Sequence, residues 1–239
     1  MRNARGHSLP ELLIGLAMGL SVMVTAWVVW QTVHQTWLAV TAHQSLHHNA
    51  RVALSALVDA IQRAGAAPLV GVSGSRGVTL VPSTFSAVDA TLAARGDSLV
   101  LTHWRALDDA DCQGNRSGSH TLAHNQFQRS ASSDDLACKD TGLVGSSLQP
   151  LAEGLEEFRV RLAEVSVDGQ TLQWKSPKQV LHGTQVAAVE VCLRMSQRPP
   201  MRVPLPATVG CDGEALPPDG RLRQTWRQTV ALRNRAAAP

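Results

Sequence analysis

The residues able to do chemistry fall into a few groups. Four cysteines stand at Cys112, Cys138, Cys192 and Cys211. None belongs to a CxxC and none has a histidine at metal-ligand spacing, so disulfide formation is the chemistry they offer. Four cysteines allow three connectivities. Cys112–Cys138 and Cys192–Cys211 are favoured, because each closes a stretch rich in Gly, Ser, Pro and polar residues, whose unfolded freedom a crosslink removes. Four buried free thiols are the alternative. His43 and His47, at i and i+4, could share a metal from one helix face. No carboxylate or cysteine lies near them in sequence, so they read as polar residues. Asp108, Asp109 and Asp111 lack the spacing and the glycine of a calcium loop. Asp134 and Asp135 read as a solvated pair. Gly71-Val72-Ser73-Gly74 fails at the last position of a nucleophile elbow, and there is no HExxH, P-loop or GxGxxG. The expectation is a protein that is not an enzyme, with no cofactor, no metal and no small-molecule substrate.

One carboxylate stands apart. Glu11 precedes a stretch, Leu12 to Ala50, that contains no Asp, Glu, Lys or Arg. A carboxylate at the edge of an apolar helix is costly in lipid and has to be paired or functional. The plainer alternative is an acid complementing the positive end of the helix dipole. The strongly apolar part, Leu12 to about Val33, is about 22 residues, which at 1.5 Å per residue matches a hydrocarbon layer of about 30 Å. Trp27, Trp30 and Trp37 gather at its far end, where an aromatic belt sits, and Arg2 and Arg5 lie before it. The positive-inside rule then puts the N-terminus in the cytoplasm and the remainder outside. Gly15 and Gly19 form a small-xxx-small pair that lets another helix approach.

Further elements position these groups. Leu46, Ala50, Ala53, Leu54, Leu57, Ile61 and Ala64 recur every three or four residues, with Arg51, Ser55, Asp59, Gln62 and Arg63 on the other side. This is an amphipathic helix continuing the apolar one, and Gly65 and Pro68 end it. One helix from about Ser8 to Ala64 is expected. After a Gly/Ser/Ala/Pro-rich connection, Arg95-Gly96-Asp97 reads as a turn. Strands are expected at Ser98–Trp104, Thr121–Arg129, Phe158–Val165, Thr171–Trp174, Gln185–Met195 and Leu222–Leu232. Ser130–Asp135 reads as a turn cluster. Asn115-Arg116-Ser117 matches a glycosylation triplet by pattern alone. Gln197–Pro218, with six prolines and two glycines, reads as a long loop pinned by Cys211.

The 239 residues suffice for one ordinary domain with an extended element. Their formal charge is +3. Without Arg2 and Arg5 the balance is 22 − 2 = 20 basic against 19 acidic residues. Charge therefore gives no support to a nucleic-acid partner.

The N-terminus resembles the signal of type IV prepilins and pseudopilins. Gly6 stands before the apolar run rather than after it, followed by His7, Ser8-Leu9 and Glu11. That resemblance implies cleavage after Gly6 by a membrane-embedded prepilin peptidase. It also implies N-methylation of His7, and pairing of Glu11 with the freed α-amine of a neighbouring subunit. Asn49-Ala50-Arg51-Val52-Ala53-Leu54 with Asp59 to Gly65, and the ending Thr229-Val230-Ala231-Leu232-Arg233-Asn234-Arg235, resemble the minor pilin PilW family. The fold implied is α+β and pilin-like, a long N-terminal helix packed on an antiparallel sheet. Residues 1–6 would be the leader and 7–33 the transmembrane and assembly helix. Residues 34–65 would be its amphipathic half and 66–239 a β-rich periplasmic body. The function implied is that of a minor pilin in the inner membrane and then the pilus at the cell surface. It would help start assembly at or near the fibre tip, with other minor pilins and the major pilin as partners. A J-type pseudopilin of type II secretion, and a pilus-tip module for adhesion or DNA uptake, are the alternatives.

Overall fold

The computed structural model describes residues 8–64, 98–105, 109–116, 121–166, 169–179, 186–199 and 207–233. Helix α1 runs Leu9–Arg63, 55 residues and about 83 Å at 1.5 Å per residue. Pro10 sits in its first turn, where a missing N–H costs nothing. At the other end, the Ala64 N–H bonds back to Ala60 and Ile61. Gly65 and Pro68 lie outside the described residues.

Among the described residues ten strands follow: β1 (Ser98–Arg105), β2 (Thr121–Arg129), β3 (Asp135–Asp140), β4 (Gln149–Glu153), β5 (Leu155–Val165), β6 (Leu172–Lys175), β7 (Val186–Gln197), β8 (Thr208–Val209), β9 (Ala215–Leu216) and β10 (Leu222–Ala231). They form one sheet of order β1-β2-β3-β4, a second of order β10-β7-β5-β6, and a small β8-β9 hairpin. All pairings are antiparallel. The whole is the pilin-like α+β architecture that the sequence implied.

The second half of α1 is the spine of the core. Ala42, Leu46, Ala50, Ala53, Leu57, Ala60, Ile61 and Ala64 are buried at three- and four-residue spacing, while Leu54 is half-buried beside them. The alanines let the helix lie close to both sheets. Facing it are Leu99, Leu101 and Phe127 from the first sheet and Phe158, Val160, Val191, Leu193 and Met195 from the second. Period-2 alternation on β5 and β7 puts these residues inward and Arg159, Arg161, Cys192 and Arg194 outward. Asn49 fixes the helix against β4 by donating to the Glu153 carbonyl at 3.4 Å.

The chain passes from the first sheet to the second at Gly154, whose φ is +85°. Its carbonyl accepts from the Ser196 N–H at 2.7 Å. A side chain at Gly154 would collide with the Ser196 backbone carbonyl, so only glycine fits this corner.

Three sequence expectations change. β3 is a strand inside the first sheet, with Cys138 at its centre, where only the turn before it was expected. The proline-rich stretch before β10 contains the β8-β9 hairpin, turned by Gly210-Cys211-Asp212-Gly213, rather than continuous loop. Asp134 and Asp135 are not a solvated pair. Asp134 ion-pairs with Arg129, and Asp135 is buried at the start of β3, where its carbonyl accepts from the Ser130 N–H.

Candidate functional site

Every described residue from Ser8 to Trp37 is exposed. Leu12, Leu16, Val22 and Val29 each present more than half of their surface. Soluble proteins do not leave a continuous apolar surface of this length uncovered. The segment also meets the length and hydropathy of a membrane span, with a mean hydropathy of 2.3 in its most apolar window. Its few hydroxyls are satisfied internally. Ser21 donates to the Met18 carbonyl at 2.8 Å, Thr25 to Val22 at 2.8 Å and Thr32 to Val28 at 2.9 Å. Such back-bonding keeps polar atoms out of an apolar solvent. Among the described residues, apart from the adjoining helix backbone, no atom comes within 4 Å of where a Cβ would stand on Gly15 or Gly19, so the backbone there is open to a second helix.

Glu11 sits at the third helical position. Its carboxylate accepts from the Ser8 backbone N–H at 3.1 Å and from the Ser8 hydroxyl at 3.3 Å. This is the reciprocal arm of a capping box, and it places a negative charge on the positive end of the helix. The residue missed by sequence reasoning is Ser8 as the partner of Glu11, although Ser-x-x-Glu is itself a capping-box signal. Gly6 and His7 lie outside the described residues.

An aromatic row occupies the far end. Trp27 and Trp30 are stacked with centroids 5.5 Å apart, Trp30 and His34 at 5.2 Å, and His34 and Trp37 at 6.5 Å. The row lies on one side of the helix instead of encircling it.

The remaining candidates have structural roles. Cys112 pairs with Cys138 and Cys192 with Cys211, with Cα atoms 6.2 Å and 5.9 Å apart. The first bridge ties the segment after β1 to the middle of its sheet, and the second fastens the β8-β9 hairpin to the outer face of β7. Asp111 shapes the turn around the first, accepting from the Gln113 and Asn115 N–H groups at 2.8 Å each. Asp109 pairs with Arg63 at 2.9 Å, while Asp108 lies outside the described residues, as does Arg95-Gly96-Asp97. His47 meets Trp226 edge-on at 5.6 Å. Among the described residues no group of His, Cys, Asp and Glu could hold a metal ion.

A cleft of about 270 Å³ lies between the end of α1 and the first sheet, lined among others by Arg63, His103, Asp109, Asp111 and Asn125. Among the described residues it brings no nucleophile and base together. Arg63 is engaged by Asp59 and Asp109 at its edge.

The outer face of the second sheet is held by ion pairs. Arg223 grips Glu156 through Nε at 2.6 Å and Asp219 through Nη1 at 2.5 Å. Arg194 pairs with Glu157 at 2.7 Å, and Glu157 also accepts from the Cys211 N–H at 3.2 Å. Hydrogen bonding from Arg223 holds the Asp219 carboxyl down to about 2. Burial pushes the Glu156 carboxyl up, but bonds from Arg223 and Ser196 and the charges of Arg223 and Arg194 together bring it below its ordinary value.

A long half-exposed helix with a capped N-terminal carboxylate, laid on antiparallel sheets, defines a structural class, the pilin-like fold. The chain is similar to a solved type IV-like pilin from Thermus thermophilus, with a TM-score of 0.55 and 17% identity over 80% of this chain and 97% of that one. At that identity the likeness is one of fold. No family model matches the chain, and no curated protein does.

Proposed function

We propose that this chain is a minor pilin of a type IV pilus, inserted in the inner membrane, with its N-terminus cytoplasmic and its body periplasmic. Prepilin peptidase cuts after Gly6 and His7 is methylated. The mature subunit then leaves the lipid and helps start the fibre at or near its tip, with other minor pilins and the major pilin as neighbours. The observation that carries this reading is the exposed, charge-free half of α1 with Glu11 at its head. A passive anchor needs the apolar length, but it does not need a carboxylate at the lipid boundary. In the fibre Glu11 would exchange its bonds to Ser8 for the α-amine of a neighbouring subunit, so that each helix enters at one register. The Thr229 to Arg235 ending favours the pilus over a J-type secretion pseudopilin, which would share the helix.

Mass spectrometry of the protein from cells tests the processing step. The expected N-terminus is a methylated His7. An intact Met1, or cleavage beyond residue 30, would overturn it. Glu11→Ala tests assembly: membrane insertion persists while incorporation into fibres is lost. Unchanged incorporation would remove the role given to the carboxylate.

A further inference from the structure

The β8-β9 hairpin is too small to hold its own shape. Each strand has two residues, and a hairpin of that length is not stable by itself in water. It lies on the outer face of the second sheet, which meets it with polar side chains. Cys192 stands on β7 between Arg159 of β5 and Arg227 of β10. Those same two flanking strands take both main-chain groups of Cys211. Its N–H donates to Glu157 of β5 at 3.2 Å, and its carbonyl accepts from the Arg227 guanidinium of β10. Thr225 of β10 donates to the Val209 carbonyl at 2.6 Å. Arg194 of β7 reaches Glu214 at 3.4 Å, and Arg159 reaches Asp212 at 3.4 Å.

Local backbone structure builds this arrangement. The register of β5 against β7 shifts between Leu155 and Glu157. Such a bulge re-aims side chains. Glu156 and Glu157 both meet Arg194 on the outer face, while Leu155 and Phe158 stay in the core. Arg159 fixes Glu157 further at 3.1 Å. The Glu157 side chain is only 9% exposed. A carboxylate that meets so little water needs partners, and the Cys211 N–H is one of them.

Distance along the chain does not account for the pairing. Cys211 is 19 residues from Cys192, and Cys138 is 192 − 138 = 54 residues from it. The cost of loop closure grows so slowly with length that the nearer partner gains only about fivefold. Once closed, the bond is out of reach of an outside thiol, since Cys192 is 4% and Cys211 6% exposed. The partner therefore has to be chosen before closure.

We infer that Glu157, Arg194 and Arg227 form a charged cradle that docks the β8-β9 hairpin without the disulfide, and so selects Cys211 as the partner of Cys192. The bond then locks a pose that hydrogen bonds have already set. This device belongs to the body and does not depend on the pilin reading.

Two measurements on the full chain in detergent test it. In the first, amide exchange of the peptide 207–216 is followed by mass spectrometry at pH 7. With Cys192→Ser and Cys211→Ser combined, the peptide should keep its slow exchange. Adding Glu157→Gln or Arg227→Met should speed it about tenfold, the loss of one charge-assisted hydrogen bond, with other β-strand peptides unchanged. Arg227 is exposed, so its replacement spares the core. Fast exchange in the chain lacking only the two cysteines, or failure of that chain to fold, would overturn docking without the bond. In the second, the reduced and denatured chain is refolded with reduced and oxidised glutathione. Each bridge closes by exchange: two cysteine thiols give up two protons and two electrons, and one oxidised glutathione becomes two reduced ones. The unsubstituted chain should recover both native bridges. Glu157→Gln and Arg227→Met should leave more Cys192 joined to Cys138, Cys112 or glutathione. Native pairing at unchanged rate and yield in both variants would overturn the selection.

Discussion

Arg223 joins β10 to two acidic groups at once. One guanidinium serves two carboxylates, Glu156 and Asp219, and both are held below their ordinary values. A carboxyl depressed by folding contributes stability that is complete above its unfolded value and is lost as pH falls through the folded one. The ordinary values are 4.5 for Glu156 and 3.8 for Asp219, and the folded Asp219 sits at about 2. The contribution of this pair is thus present at neutral pH and disappears between about pH 4.5 and 2. Denaturant midpoints measured from pH 7 to pH 2 should stay level through pH 5 with respect to this pair and then decline. Glu156→Gln should flatten part of that decline. A decline of unchanged shape in the variant would show that other carboxyls carry it.

At the scale of elements, α1 consists of two halves with opposite environments. Leu57 is fully buried and Leu16 is 57% exposed, on the same helix. Truncating a buried leucine loses its transfer energy and leaves a cavity, about 2–5 kcal/mol. Leu57→Ala should destabilise the body by about that amount in denaturant titration. Leu16→Ala should leave the body's stability unchanged, because among the described residues it has no place in the core. Equal effects would mean that the two halves are not divided as described. The apolar length, the amphipathic stripe and its stop were legible in the sequence, since 3.6-residue periodicity shows over many turns. β3 was not. Leu136-Ala137-Cys138 holds one large apolar residue between two aspartates, and its burial comes from lying between β2 and β4. The β8-β9 hairpin was hidden for a related reason. Its strands have two residues each, and the Cys192–Cys211 bridge holds it to β7 while the Glu157 bond to the Cys211 N–H holds it to β5. Prolines around it then read as loop.

For the whole molecule, the buried core of the described residues begins at Ala42. A chain beginning at Gln35 should therefore be soluble without detergent, fold cooperatively and keep both disulfides. Size-exclusion chromatography, thermal unfolding and disulfide mapping check this. Aggregation of the shortened chain with scrambled bridges would show that the exposed half stabilises the fold as well as extending from it.

The sequence by itself determined what depends on neighbours along the chain: the apolar length, the lone Glu11 at its head, the amphipathic spine and most of the strands. Only the tertiary structure decided what covers that spine, because two sheets formed from strands distant in sequence pack on Leu46 and Leu57. Tertiary structure also joined Glu156, Arg194, Asp219 and Arg223 into one network, since strand register brings distant charges together and no local spacing records it.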